Sequence, residues 1–254
     1  MNASNTPRPT DREVFYLEGF TRYEQDERKR YVIRLIKRLG LRSGKLLDIG
    51  CADGTFTKLI ADALESKEVF GIEMSPEACK IASERGINIH QIDLDRVESL
   101  PFQDDYFDFV HLGEVIEHLF DTSKLLDEIR RITRPSGIVI ITTPNLASWY
   151  NRISLLLGYQ PFNTSVSLRY YAAGKLFRRT HALTVAGAEH IRMGTLRAWK
   201  ELFQSHDFEV QSVNGVHVSR NGIPRIVSLV DYFFAMFPQT SSVLIFTLPK
   251  KSLP

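Results

Sequence analysis

The chain has 254 residues, 43% apolar and 24% charged, with a net charge of +2. That length suits one domain with an elaboration, and the near-neutral balance excludes bulk attraction to nucleic acid. Its two cysteines, Cys51 and Cys79, form no metal-type pair and suit a reducing, cytoplasmic setting, while no run approaches the ~20 apolar residues of a membrane span.

Residues 1–21 read as an N-terminal extension without an apolar leader, and one domain is expected over 22–254. An amphipathic helix is predicted over Arg22–Leu39. Tyr31, Ile33, Leu35, Ile36 and Leu39 supply its apolar positions, and Arg28, Lys29, Arg30, Arg34, Lys37 and Arg38 are expected mostly in solvent. Strands and helices then alternate: strand Leu46–Ile49, helix Thr55–Leu64, strand Val69–Ile72, helix Pro76–Arg85, strands Ile87–Ile92 and Phe107–Leu112, helix Ser123–Arg134 and strand Ile138–Thr142. Such alternation predicts a doubly wound α/β fold with a mostly parallel sheet. The alternation breaks over 146–193, an aromatic-rich insertion holding Trp149, Tyr150, Tyr159, Phe162, Tyr170, Tyr171 and Phe177. It resumes with helix Thr195–Ser205 and strand Phe208–Val216. A second apolar insertion, 220–238, precedes a last strand at Val243–Leu248. Both insertions are expected to line and cover an acceptor pocket.

The densest signal is Asp48-Ile49-Gly50-Cys51-Ala52-Asp53-Gly54, where a strand ends in an acid and turns tightly into a helix. The glycine spacing of a nicotinamide-binding turn is absent, and a pyrophosphate there would face Asp48. An acidic turn instead suits a cationic, nucleoside-bearing ligand. The run resembles motif I of the class I S-adenosylmethionine (SAM)-dependent methyltransferases, acid-x-Gly-x-Gly-x-Gly, with alanine at the middle glycine. The resemblance extends from Gln25 to Val216 and implies a seven-stranded, Rossmann-like sheet with an inserted lid. It implies cofactor contacts at Asp48, Gly50, Cys51 and Gly54, and ribose hydroxyls on Glu73 at the second strand's end. Met74 would lie against the adenine, with Asp93 and Leu94 beside it after the third strand. Independently, Ser75-Pro76 reads as a helix cap, and Asp108 reads as structural.

The fourth strand runs into Glu114-Val115-Ile116-Glu117-His118. This Glu-x-x-Glu-His pattern is similar to that of the ubiquinone-biosynthesis O-methyltransferases and the small-RNA 2′-O-methyltransferases. The similarity implies catalytic roles for Glu114, Glu117 and His118, and a divalent-metal site, for an ion such as Mg2+, completed by His190. Thr143-Pro144-Asn145 matches the Pro-Asn after strand five. Read without the family, His118 is also a candidate general base, and the run is equally open to a structural reading. His181 and His206 are further, weaker candidates. The expected reaction is SAM-dependent O-methylation of a small, partly apolar molecule (a quinone, a lipid or a lipid-linked sugar) by direct displacement. Arg152, Arg169, Lys175, Arg178 and Arg179 make the first insertion basic, which suits an acidic head group and at most peripheral membrane contact. The rival expectations are an RNA 2′-O-methyltransferase and an inactive, methyltransferase-like binding module. Near-neutral charge argues against nucleic acid as the acceptor.

Overall fold

A computed structural model of the chain describes residues 26–167, 173–176, 190–218 and 225–250. The expected N-terminal extension, Tyr170, Tyr171, Phe177, His181 and Arg169, Arg178 and Arg179 lie outside these.

Seven strands form one sheet in the order β3-β2-β1-β4-β5-β7-β6. They are β1 (Lys45–Ile49), β2 (Glu68–Glu73), β3 (Asn88–Gln91), β4 (Phe107–Gly113), β5 (Thr133–Pro144), β6 (Ser212–Val216) and β7 (Val243–Pro249). Every pairing is parallel except those of β7, which runs against β5 and β6. The helices are α1 (Glu27–Arg38), α2 (Thr55–Leu64), α3 (Pro76–Glu84), α4 (Thr122–Ile132), α5 (Trp149–Leu156), α6 (Leu196–Ser205) and α7 (Arg225–Ala235).

Period-two alternation divides the core between the two faces of the sheet. Leu46 packs with α1 and α2, alongside Val32, Ile36 and Ile60. Leu47 and Ile49 pack on the other face with Leu126 and Ile129 of α4 and Phe203 of α6. Asp48 therefore shares a face with Leu46 and looks toward α2. The strand order reverses between β1 and β4, and in open parallel sheets ligands bind beyond the carboxyl ends at that point.

Some sequence expectations shift. Asp26 caps α1 by accepting from the backbone N–H of Arg28 and Lys29, so the described helix begins at Glu27. Its buried face is Val32, Leu35 and Ile36, and Leu39, already past the helix, is 42% exposed. Strand β5 follows α4 without a gap, since Thr133 is already extended (ψ 133°) while its N–H and hydroxyl (2.6 Å) both still donate to the Ile129 carbonyl. Phe208 stays outside β6 as an isolated bridge to Lys250. Asp108 is structural as read, accepting from the Lys45 N–H (2.8 Å) and pairing with Arg134. Ser75 caps α3 through the Ala78 N–H with Pro76 in the first turn.

Candidate functional site

At the end of β1 the chain turns on backbone alone. The N–H groups of Gly50 and Cys51 both donate to the Ile72 carbonyl of β2 (2.8 and 3.1 Å), which binds the turn to its neighbour. Gly50, Ala52 and Gly54 all have positive φ, 75°, 52° and 75°. A Cβ on Gly50 would sit 2.3 Å from Val115 Cγ2, and one on Gly54 2.4 Å from Ile87 Cδ1. Alanine in place of the middle glycine is thus more than an added methyl: Ala52 is held in the left-handed region, at a cost of order 1 kcal/mol. Cys51 is buried, and burial pushes its thiol far up, with Asp48 and Glu73 adding to the rise, so it behaves as a small apolar group.

Glu73 ends β2 and is 5% exposed. One carboxylate oxygen accepts from the N–H groups of Met74 and Ser75 (2.8 Å each) and the other from that of Ala52 (3.1 Å). This clasp locks the β2 end against the β1 turn and fixes the carboxylate at the cleft. Met74 beside it is 37% exposed. Asp93 caps its own turn, accepting from the Asp95 N–H (3.1 Å) and meeting Arg96 at 3.2 Å, and Leu94 packs half-buried against the core.

Asp48, which the resemblance implies as a cofactor contact, lies buried beneath the turn. One of its oxygens meets His111 Nδ1 at 2.7 Å and the other accepts from the Thr57 hydroxyl at 2.5 Å. Asp48 and His111 are register partners across β1 and β4, and both are at most 4% exposed. The carboxylate therefore anchors strand to strand and strand to helix beneath the glycine turn. Neither His111 nor Thr57 was singled out from sequence, since only the strand register pairs them.

At the end of β4 the backbone strains again. Glu114 has φ 57°, and its N–H donates to the Thr142 carbonyl. Its side chain does not join the two histidines. Arg28, expected in solvent on α1, reaches in and pairs with it at 2.6 Å, while the Thr142 hydroxyl donates to its other oxygen (3.2 Å). Glu117 lies in a single 3-10 turn, Ile116–His118, and is wholly buried. The Thr143 hydroxyl donates to its Oε2 (3.2 Å), while Oε1 has no partner among the described residues. Burial raises the Glu117 carboxyl well above the usual carboxylate range, and the neighbouring Glu114 raises it further.

The Glu117 carbonyl accepts from the N–H groups of Ile191 and Arg192 (2.7 and 2.9 Å), which brings His190 to the turn from seventy-odd residues away. The His118 and His190 rings lie 4.9 Å apart. His190 Nδ1 sits 2.8 Å from the Asn163 carbonyl, so it carries the proton and leaves Nε2 as an acceptor. Burial and the adjacent His118 lower the His190 imidazole below the usual histidine range. Among the described residues, potential ligand atoms of Glu117, His118 and His190 fall within 4.8 Å of one another, and Glu114 is not of that group. Asn145, of the Pro-Asn pair, is fully buried and donates to the Ser241 carbonyl (2.9 Å), tying β5 to the loop before β7.

Residues 23–213 match a family model described as a methyltransferase domain. An uncharacterized methyltransferase of Schizosaccharomyces pombe is 29% identical over 159 residues, covering 56% of this chain and 55% of that protein. A demethylmenaquinone methyltransferase of Staphylococcus aureus is 33% identical over 112 residues, 42% of this chain and 46% of that one. The match spans about half the length of these curated relatives. Among solved structures, the methyltransferase bound to the Haloferax volcanii Trm112 activator superposes with a TM-score of 0.65 at 15% identity, covering 96% of this chain and 97% of that one. A SAM-dependent methyltransferase of Thermotoga maritima gives 0.59 at 19% identity, covering 94% and 98%.

Proposed function

The chain belongs to the methyltransferase-domain family, with the Rossmann-like fold of the SAM-dependent enzymes, and from this premise we propose that it methylates an oxygen of a small, partly apolar acceptor. The observation that carries the reading is Glu117. It is a buried carboxyl with an unpartnered oxygen, set beside two histidines at the strand end that faces the methyl donor in this fold. The demethylmenaquinone methyltransferase among the relatives supports a quinone-like acceptor molecule but not the choice of oxygen, since the methyl missing from demethylmenaquinone is on a ring carbon.

The cleft's residues fit the donor. Carboxylates at Glu73 and Asp93 and the close backbone turn of Gly50, Ala52 and Gly54 suit a cationic nucleoside ligand. Bound SAM supplies an electrophilic methyl carbon on its sulfonium. In the proposal Glu73 takes the ribose hydroxyls and Met74 and Leu94 flank the adenine. Gly50, Cys51 and Gly54 give close backbone approach, and Asp48 fixes the turn from below. His118 takes the acceptor's proton, with His190 held as the neutral tautomer beside it. Direct displacement then needs little beyond alignment.

The same three side chains fit a divalent ion, since a carboxylate and two imidazoles are a suitable donor set and His190 Nδ1 is already oriented by a carbonyl. Such an ion would lower the acceptor hydroxyl's pKa. Two imidazoles favour Zn2+ or Fe2+ over the Mg2+ expected from sequence. Glu114, occupied by Arg28, is left out of this set.

Methyl transfer from labelled SAM to a panel of hydroquinones and phenols, with and without chelator, tests the reading. The expected product is a methyl ether, and His118→Ala lowers kcat about a hundredfold or more with S-adenosylhomocysteine affinity kept. Transfer to nitrogen or carbon alone, or to RNA alone, would contradict it.

A further inference from the structure

Helices α5 and α7 are built inside out. The buried residues of α7 come down to Asp231, and those of α5 to Asn151 and Ser154. Most of their large apolar side chains face solvent instead, with Trp149, Tyr150, Val230 and Phe234 half-buried. On α7, Ile226, Leu229 and Phe233, followed by Met236 just past its end, repeat at helical spacing along one outward stripe, 53–67% exposed. On α5, Leu155 is 57% exposed and Leu156 85%. Of the 17 exposed large apolar residues among those described, 13 lie in 153–166 and 226–237.

The inversion is locked in by design of the contacts. The Trp149 indole N–H donates to Asp231 (2.8 Å), and the Trp149 ring stacks on Phe234 with centroids 5.6 Å apart. Asp231 also accepts from the Val218 N–H (2.9 Å) and the Ser242 hydroxyl (2.6 Å). One internal carboxylate therefore holds α7 with its polar side inward. Both helices follow strand ends at the carboxyl edge of the sheet, α5 after β5 and α7 between β6 and β7, the edge that carries Glu117 and His118.

Charge separates the possible occupants. Residues 145–188 contain five Lys and Arg and no acid, and 217–238 contain two Arg and only Asp231. The rest of the chain holds 25 basic residues against 29 acidic. Among the described residues of these two segments the exposed charges are Arg152 and Arg225, while Lys175 and the one acid, Asp231, are buried. A second copy docked by two-fold symmetry would add exposed arginines and, among the described residues of these segments, no exposed acid to meet them. Charge-matched cover must be anionic, and apolar over a broad face.

We propose that this face, centred on α5 and α7, docks on an anionic lipid bilayer surface, seating the carboxyl edge of the sheet against the membrane. The docking is interfacial, since no described helix is long and apolar enough to cross a membrane. It goes beyond the reaction proposed above and does not depend on it.

Sedimentation of the full chain with sucrose-loaded vesicles tests it, comparing phosphatidylglycerol–phosphatidylcholine mixtures with pure phosphatidylcholine. The protein is expected to pellet with the anionic vesicles at least about tenfold more strongly, and to be released by salt. The double variant Leu156→Glu/Leu229→Glu, both sites exposed, is expected to lose this tenfold or more, and Arg225→Glu to weaken it less. S-adenosylhomocysteine titration of each variant, expected to be unchanged, reads folding and the cofactor site separately. No pelleting, equal pelleting by wild type and double variant, or a dimer in light scattering that the double variant dissolves, would each overturn the proposal.

Discussion

The two ends of the proposed site, one for the cofactor and one for the acceptor, lie along one edge of the sheet and are built by different means. The cofactor end is made of backbone: three consecutive alternate residues at positive φ, a carboxylate clasped by three N–H groups, and every named polar oxygen partnered. The acceptor end is made of side chains brought from afar, and it holds an unpartnered carboxylate oxygen, the raised Glu117 carboxyl, the lowered His190 imidazole and the inverted helices. A ligand of fixed shape is met by rigid main chain. In the proposed reading the acceptor end leaves the Glu117 oxygen unsatisfied, which costs stability until a ligand answers it.

The sharpest way to break this contrast is Glu117→Gln. The amide is isosteric and uncharged, so it removes the ionisable group without a cavity. Turnover is expected to fall about a hundredfold or more while the free protein gains thermal stability at neutral pH. The sign follows from the raised carboxyl. Ionising Glu117 costs stability as pH climbs from the unfolded carboxylate value toward the higher folded one, and the amide has nothing to ionise. Melting curves between pH 5 and 8, flatter in the variant than in the wild type, would check it. A destabilised variant at every pH would mean that Glu117 is structural.

Gly50→Ala probes the backbone end. With φ 75° and Val115 Cγ2 in the way, it should cost about 2 kcal/mol or more, read as a fall in denaturation midpoint. Adding Val115→Ala should recover the clash but not the φ cost, so only part returns.

A smaller effect lies away from the site and serves as a control on it. Arg131 holds the Glu128 carboxyl down at about 2, with the Leu100 N–H and Ser99 hydroxyl contributing. A depressed acid stabilises above its unfolded pKa and loses that contribution as pH falls from about 4.5 through about 2. Arg131→Met should flatten acid denaturation in that window and leave kinetics unchanged at neutral pH.

Ala52→Gly is the smallest. Relief of the left-handed strain and the entropy of an added glycine nearly cancel, so the change should stay within about 1 kcal/mol, with cofactor affinity kept. A large loss would mean that the alanine methyl itself is part of the cleft.

The backbone end was nearly legible in the chain. Helix α2 spans the Thr55–Leu64 expected for it, and Glu73 closes β2 as read, because glycine turns, caps and alternation are local signals. The side-chain end was less so. Arg28 looked like one more solvent cation in a basic helix, and only the tertiary placement of α1 turns it onto Glu114. Asp48 was expected only as a cofactor contact, because sequence does not carry the register that pairs it with His111. The apolar run of α7 read as a pocket lining, and nothing local says that one buried aspartate turns it outward.

The most direct test of the division is a calorimetric titration with S-adenosylhomocysteine of the wild type, Glu73→Ala and Glu117→Gln. The account predicts micromolar binding by the wild type and a loss of about a hundredfold in Glu73→Ala, as two charge-assisted hydrogen bonds disappear. It predicts near-wild-type affinity in Glu117→Gln. If Glu117→Gln weakened binding as much as Glu73→Ala, or if the wild type did not bind, the two ends would not be separate and the account would fail.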